Sequence, residues 1–309
     1  MKTTALLVTA VLLGGCSSGG GGGGDSGPGS AASSEPNPLL CIFVPFVCVL
    51  AQFDGVSQPE SMGVTPEAFT TWAELQRGRP TIAPALGFRA AYESGSDGII
   101  RRTDVATAGA SSATYDPAGA VGNLATLGQP GIERHSNGIF ANPYAQEWNF
   151  QSFGVWNEQA SAGKGTFAAS SFGQATPGSA VPTTGSATFA GKAGGFYVSP
   201  TGQPAIAASD LTVKADFSAR TLGLSTSRTT IASDLRAPTA APHLDLGGTL
   251  SYAQGSSRFG GTLTSAGGTL RGSTSGQFYG LTAQELGGAF SLKSSTSVET
   301  FTGAYGAKR

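Results

Sequence analysis

The C-terminal part of the chain, residues 244–309, alternates apolar and polar residues with a period of two. Leu246, Leu250 and Tyr252 share one parity, whereas Thr249 and Ser251 share the other. Successive side chains of a β-strand point to opposite faces, so this period predicts strands with one face on a core and the other in water. The alternation returns near the end of the chain, where Leu286, Phe290 and Leu292 alternate with Glu285, Ser291 and Lys293.

This region contains four glycine pairs, each followed by Thr or Ala and then by Leu or Phe. The pairs begin at Gly247, Gly260, Gly267 and Gly287. Paired glycines inside strands usually mark bulges or bends at which a sheet curls. Short strands joined by Gly/Ser turns, without a helical period between them, predict a small antiparallel β-barrel.

The predicted barrel domain spans residues 146–309 and contains eight strands. Its cleanest strand alternates Leu211, Val213, Ala215 and Phe217 with polar residues. The other seven lie near residues 150–156, 165–169, 187–190, 243–253, 258–264, 283–292 and 297–306. A barrel of eight strands is just wide enough to be filled by its own side chains or to hold one small ligand. The Phe and Leu residues on the inward parity favour a filled interior.

The chain begins with an export signal that ends in a lipidation motif. Residues 1–15 combine Lys2, a short apolar core and Leu13-Gly-Gly before Cys16. We predict cleavage before Cys16 and lipid attachment to it; an ordinary signal peptide with an incidental Cys is the alternative. Ser17, in place of the Asp that retains lipoproteins in the inner membrane, predicts delivery to the outer membrane. Residues 16–37, with six consecutive glycines, form a flexible tether.

Residues 38–53 form a second apolar run, which is too short and too broken by Pro45 to span a bilayer. Its Cys41 and Cys48 would lie in an oxidising compartment, so we predict a disulfide between them. An apolar loop that binds a partner is the alternative. Further on, residues 66–75 have the spacing of a short amphipathic helix, and residues 86–92 and 98–100 predict strands of a smaller sheet.

Charge and residue chemistry favour binding over catalysis. The chain has 18 basic and 19 acidic residues without a Lys/Arg cluster, which argues against a nucleic-acid partner. His135 and His243 are far apart, and we predict both in solvated loops rather than in a catalytic or metal site. The sequence contains no nucleophile elbow, phosphate-binding loop or C-x-x-C pair. We therefore predict a protein that is not an enzyme, with no metal site and no cofactor of its own.

Residues 276–290, read with the closing residues 306–309, resemble the end of the transferrin-binding protein B family. In that family of surface lipoproteins, a G-x-F-Y-G-P-x-A-x-E-L-G-G-x-F segment leads to a terminal G-A-x-R. Leu281 stands where the family usually has Pro. Residues 150–156 and 215–217 are also similar to barrel segments of the family, so the resemblance covers about residues 148–309.

The resemblance implies a mainly β fold, in which the eight-stranded antiparallel barrel follows a small β-rich, handle-like subdomain at residues 38–145. It implies a surface-exposed lipoprotein of the cell outer membrane, anchored through Cys16, with an export or uptake protein as a further partner. Such a protein would bind a host or environmental protein, or an iron- or haem-bearing ligand, for nutrient acquisition. Loops at one end of the barrel and handle would bind it, but the sequence does not single out the residues.

Haem as a transported ligand would need His or Tyr in an apolar pocket, for which Tyr144, His135 and Tyr279 are the candidates. Two other functions remain open. One is a passive structural or adhesion lipoprotein, and the other is an integral outer-membrane β-barrel. Against the integral barrel, the predicted strands of about six to eight residues are shorter than the roughly 9–11 needed to span a bilayer, and the chain ends in Lys-Arg.

Overall fold

The computed structural model describes residues 81–82, 86–107, 113–114, 120, 122–124, 128–136, 138–161, 164–233 and 238–309. The predicted signal peptide, the predicted tether, Cys16, Cys41, Cys48 and the predicted helix at residues 66–75 lie outside these residues. Predictions about them stay predictions.

The first part of the described chain forms a seven-stranded antiparallel sheet, called here the N-terminal sheet. Its strand order is β3-β2-β9-β8-β7-β6-β5. The strands are β2 (Leu86–Ser94), β3 (Ile100–Thr107), β5 (Gly122–Asn123), β6 (Ile132–His135), β7 (Gly138–Ala141), β8 (Gln151–Ser161) and β9 (Lys164–Gly173). Two further short strands, β1 (Thr81–Ile82) and β4 (Ala113–Thr114), pair with each other.

The second part forms a closed antiparallel barrel of eight strands, as predicted. The order β11-β10-β18-β17-β16-β15-β14-β12 is closed by pairing of β11 with β12. The strands are β10 (Ser186–Val198), β11 (Pro204–Asp216), β12 (Thr221–Ala232), β14 (Leu246–Tyr252), β15 (Arg258–Ser265), β16 (Arg271–Tyr279), β17 (Glu285–Lys293) and β18 (Thr300–Lys308). The two-residue β13 (Thr239–Ala240) adds to the edge of β12.

Strand number was predicted correctly, but strand membership was not. The segments predicted as the first two barrel strands are β8 and β9, which belong to the N-terminal sheet, so the barrel strands begin at Ser186. The prediction also missed β12 and β16. Both strands are rich in Ser, Thr and Gly, as in Arg271–Tyr279, so they carry a weak apolar alternation. Alternation identifies a strand but does not identify its partner, and long-range pairing decides the sheet.

Aromatic and aliphatic side chains fill the barrel, as the inward parity predicted. Phe278 lies fully buried at the centre of one ring cluster. Its ring makes edge contacts with Tyr252 and Phe259 at centroid distances of 5.4 and 5.3 Å. Phe189 and Phe217 pack against it at 6.3 and 6.1 Å. Burying each such side chain contributes about 1.5–3 kcal/mol, so this cluster is a main source of the barrel's stability.

The outer face of β17 is buried, which corrects the predicted water-facing side of that strand. Glu285 and Ser291 are 2% and 3% exposed, whereas Lys293 is exposed as predicted. The reason is that β17 packs against β2, β8 and β9 of the N-terminal sheet. The barrel wall at β17 is therefore buried on both faces, by the barrel core on the inside and by the N-terminal sheet on the outside.

The glycine pairs do not mark bulges. Strand register runs without a shift through Gly287 and Gly288, and the register shift within the barrel lies at Ala208 and Asp210 instead. At Gly288 a Cβ would come within 2.7 Å of the Tyr305 ring, so glycine leaves room for that ring. Gly268, in the turn after β15, has a φ of +74°, which favours glycine.

Candidate functional site

Turns from both sheets meet at one end of the structure. The turn at residues 95–99 joins β2 to β3, residues 199–203 join β10 to β11, and residues 294–299 join β17 to β18. The Ile100 N–H donates to the Gly202 carbonyl at 2.7 Å, and the Thr103 hydroxyl donates to the Val298 carbonyl at 3.2 Å. These bonds tie β3, which follows the first turn, to the two barrel turns. We call residues 95–99, 199–203 and 294–299 the loop rim.

Hydrogen bonds within each turn fix its conformation. The Asp97 carboxylate accepts from the Ile99 N–H at 3.1 Å, and the Ser199 hydroxyl accepts from the Gln203 N–H at 3.0 Å. The Ser294 hydroxyl accepts from the Thr296 N–H at 3.2 Å. A binding surface with such ordered turns loses little conformational entropy when a partner binds. The loop rim is therefore a pre-ordered surface on a rigid scaffold.

A shallow cleft of about 240 Å³ lies beside the loop rim, on the face of the N-terminal sheet formed by β2, β3 and β9. Two surface ion pairs border it: Lys164 to Glu93 at 3.3 Å and Arg102 to Asp104 at 2.9 Å. Ion pairs this exposed contribute no more than about 1 kcal/mol, so their charges can find new partners on a protein surface. The cleft is smaller and more charged than the apolar pockets of about 300–1,000 Å³ that hold small ligands.

A second charged cluster, on the outer face of the barrel, is neutralised internally. Lys192 donates to Asp210 at 2.6 Å and to Gln129 at 2.8 Å, and Arg228 also donates to Asp210. Burial raises the pKa of Asp210, but the hydrogen bonds from Lys192 and Arg228 outweigh burial and hold the pKa below its usual range. The cluster ties a loop of the N-terminal sheet to the barrel and is a structural contact.

The three candidate haem ligands lie on different elements. Tyr144 is 71% exposed in the turn between β7 and β8, while Tyr279 is fully buried at the end of β16. The Tyr279 hydroxyl is 2.7 Å from the Ser171 hydroxyl, and burial raises the pKa of Tyr279 to about 12. Tyr279 therefore makes a structural bond between the two sheets rather than presenting its oxygen to a ligand.

The two histidines differ in environment. His243 is exposed in the 3-10 turn Pro242–Leu244, as predicted. His135 was predicted in a solvated loop, and this is wrong because it ends β6 and is only 6% exposed. Its ring packs edge-on against Phe140, and its Nε2 lies 3.5 Å from the Glu133 carboxylate.

Within the described ranges, no three His, Cys, Asp or Glu side chains are grouped so that they could hold a metal ion. In the same part of the chain, no helix is long and apolar enough to cross a membrane.

The residues that carry the family resemblance lie where the barrel meets the N-terminal sheet. The Glu285 carboxylate accepts the N–H groups of Asn149 at 2.7 Å and Phe150 at 3.1 Å. Next along the strand, Gly287 lets Gln151 approach, because a Cβ there would come within 2.6 Å of the Gln151 side-chain oxygen. Lys308 bonds to the Glu147 carboxylate at 2.7 Å. The motif is thus a structural junction rather than a ligand site.

Burial raises the pKa of Glu285 to about 7, although the two N–H groups and the nearby Lys308 oppose this shift. The junction therefore contains a carboxyl group that titrates near neutral pH.

Sequence reasoning predicted that loops at one end of the barrel and handle would bind, but it did not identify the loops. The turn chemistry was visible, since Gly98 and Gly202 have φ values of +74° and +81°. The sequence did not show that these turns meet, because the meeting depends on contacts between distant residues, such as Thr103 and Val298, which are 195 positions apart.

Comparison with known proteins agrees with the resemblance. Residues 181–309 match the family model described as the C-lobe and N-lobe beta barrels of Tf-binding protein B. The matched residues include all eight strands of the barrel, from Ser186 of β10 to Lys308 of β18. No curated protein matches the sequence significantly.

Solved structures of low sequence identity are also similar. A transferrin-binding protein B mutant from Haemophilus parasuis is 12% identical with a TM-score of 0.45, over 72% of this chain and 45% of that one. The isotype 1 transferrin-binding protein B of Neisseria meningitidis is 18% identical with a TM-score of 0.40, over 72% and 43%. The haemoglobin receptor HpuA of Kingella denitrificans is 15% identical with a TM-score of 0.40, over 75% and 86%. The match thus spans less than half of either transferrin-binding protein.

Proposed function

We propose, from the match of residues 181–309 to the model of the transferrin-binding protein B barrels, that this protein is a surface lipoprotein which binds another protein through the loop rim. The observation that carries this proposal is the joining of turns from both sheets into one ordered surface, through the bonds of Ile100 to Gly202 and Thr103 to Val298. The cleft next to the rim is small and charged, which favours a protein surface as the partner over an enclosed small ligand.

The outer face of the barrel supports a domain surrounded by water. On β11, Lys214 and Asp216 are exposed, while Val213 and Ala215 point into the core. A barrel that spans a membrane has the reverse arrangement, with an apolar outer band. The prediction of short strands was wrong, because the barrel strands run from 7 to 13 residues. The polarity of the outer face, rather than strand length, therefore favours a lipid-anchored barrel over an integral one.

The partner class that we propose is an iron-bearing host protein. Structures with a similar fold include proteins that bind transferrin and a receptor for haemoglobin. A transferrin- or haemoglobin-type protein presents a folded surface to the loop rim, and the barrel interior, filled by side chains such as Phe278, needs no bound ligand.

Binding to immobilised probes tests this function. Purified protein, with Cys16 replaced by Ser to keep it unlipidated, is passed over human transferrin, haemoglobin and serum albumin. We expect saturable binding to transferrin or haemoglobin and none to albumin. Absence of saturable binding to both iron proteins would contradict the proposal and favour a passive envelope lipoprotein.

Protease treatment of intact cells tests the location. We expect an external protease to remove the barrel while a periplasmic control protein survives. A Cys16→Ser variant should no longer incorporate labelled palmitate and should leave the membrane fraction. Protection of the barrel until the outer membrane is broken would contradict surface display.

A further inference from the structure

Among the described residues, one edge of the N-terminal sheet has no further strand paired to it, unlike the closed barrel. Strand β3 is the end strand of this sheet and pairs only with β2 among the described residues. The Gly202 carbonyl covers this edge at Ile100, where it accepts the N–H. A strand edge presents backbone donors and acceptors that can pair with another strand. The segment open to such pairing is therefore residues 101–105.

The charges on this segment are self-complementary. Arg102 and Asp104 lie on the same face of β3, on either side of Thr103, and their side chains are 64% and 62% exposed. When two copies of β3 run antiparallel and centre on Thr103, Arg102 lies opposite the partner's Asp104, and Asp104 lies opposite the partner's Arg102. Cross-strand pairs of opposite charge stabilise sheets. The Thr103 hydroxyl of each copy keeps its bond to the Val298 carbonyl and adds nothing to the contact.

The same charges disfavour the other registers. An antiparallel shift by two residues in either direction places Arg102 opposite the partner's Arg102, or Asp104 opposite the partner's Asp104. A parallel, in-register pairing also brings like charges side by side. Like charges directly opposite destabilise a strand pair, so only the centred antiparallel register satisfies both residues.

We propose that two copies of this chain associate through β3 in an antiparallel strand pair centred on Thr103, which joins their N-terminal sheets. The contact is isologous, because the same patch of each copy meets itself around a two-fold axis. Charged residues on edge strands usually prevent sheets from associating. Here the charges of Arg102 and Asp104 favour pairing with a second copy of β3 and fix its register. Because the strand pair is short, we expect a weak, reversible dimer that a shared membrane anchor would favour by raising the local concentration.

Charge variants give a sharp test by sedimentation velocity at rising protein concentration. The Cys16→Ser chain should dimerise reversibly, and added salt should weaken the dimer. Arg102→Asp places four carboxylates at the contact and Asp104→Arg places four cations there, so each variant alone should raise the dissociation constant at least tenfold. An equimolar mixture of the two variants should associate again, as should the doubly exchanged Arg102→Asp/Asp104→Arg protein.

Several results would overturn the proposal. These are a wild-type chain that stays monomeric, a dimer insensitive to salt, single variants that dimerise like the wild type, or a mixture that stays monomeric. The salt dependence of the wild type decides the matter even where a variant fails to fold, which circular dichroism detects. Arg102 and Asp104 also border the cleft beside the loop rim. The two proposals are nevertheless tested separately, because association of two copies is measured without any probe protein.

Discussion

At the scale of single residues, burial separates structural side chains from candidate recognition side chains. Phe278 has no exposed surface and touches rings from several strands, whereas Tyr144 is 71% exposed. The sequence did not predict the inward position of Phe278, because it lies on β16, a strand whose apolar alternation is weak. Nor did the sequence predict that Tyr279, the next residue, would be equally buried, because the partner that covers Tyr279 comes from β9.

Replacement of Phe278 by Ala should destabilise the barrel by about 3–5 kcal/mol, because the large cavity left behind cannot collapse. Phe278→Leu keeps most of the side-chain volume, so its loss of stability should be less than half of the loss for Phe278→Ala. Tyr144→Ala serves as the matched aromatic control and should change stability by less than about 0.5 kcal/mol. Urea unfolding monitored by fluorescence measures all three, and equal losses for Phe278→Ala and Tyr144→Ala would contradict the assignment of the core.

Glu285 should make stability depend on pH between about 4.5 and 7. The unfolded carboxyl has a pKa near 4.5, and burial raises the folded pKa to about 7. The folded state therefore holds a proton that the unfolded state has released, so stability falls as pH rises through this window and levels off above it. The slope is at most about 1.4 kcal/mol per pH unit.

Glu285→Gln removes this titration. The quantity to compare is the free energy of unfolding of the wild type minus that of Glu285→Gln. We expect this difference to fall by more than about 1 kcal/mol between pH 5 and pH 8. Glu147→Gln is the control: the bond from Lys308 lowers the pKa of Glu147, so its effect should be equal at both pH values. A pH-independent difference for Glu285→Gln would show that this carboxyl stays ionised throughout.

At the scale of strands, the period-two pattern predicted the presence of a strand more reliably than it predicted what covers each face of that strand. The alternation on β11 placed Leu211, Val213 and Phe217 in the core as expected. The same kind of pattern on β17 predicted Ser291 in water, yet a sheet of distant sequence covers it. A pattern records which side chains are apolar, but it does not record whether a polar side chain faces water or another sheet.

The Tyr279–Ser171 contact between β16 and β9 should behave as a coupled pair. Tyr279→Phe and Ser171→Ala should each lower the free energy of unfolding by about 1–2 kcal/mol, because each leaves the hydroxyl of the other residue buried without its partner. The double variant should cost clearly less than the sum of the two. A double-mutant cycle by urea unfolding measures this, and strict additivity would show that the two hydroxyls do not interact.

At the scale of the whole molecule, the loop rim results from the packing of the two sheets. The fold class was predictable from the sequence, because most strands carry their own local pattern. The strand count agreed because the two segments wrongly assigned to the barrel, β8 and β9, equal in number the two strands that were missed, β12 and β16. The allocation of β8 and β9 to the N-terminal sheet was not predictable, because Phe153 and Val155 are as apolar as barrel residues. With these strands in the N-terminal sheet, β2 and β3 lie against the barrel, and their turn reaches residues 199–203.

The most direct test of the account is whether the loop rim binds the partner. Thr201 and Thr296 are exposed rim residues, and Thr249 is an exposed threonine on β14, outside the rim. The affinity of Thr201→Arg/Thr296→Arg for the iron protein that the wild type binds should be measured by surface plasmon resonance, with Thr249→Arg as the control. We predict at least a tenfold weaker affinity for the rim variant and an unchanged affinity for the control. Equal affinities for the wild type and the rim variant would contradict the account.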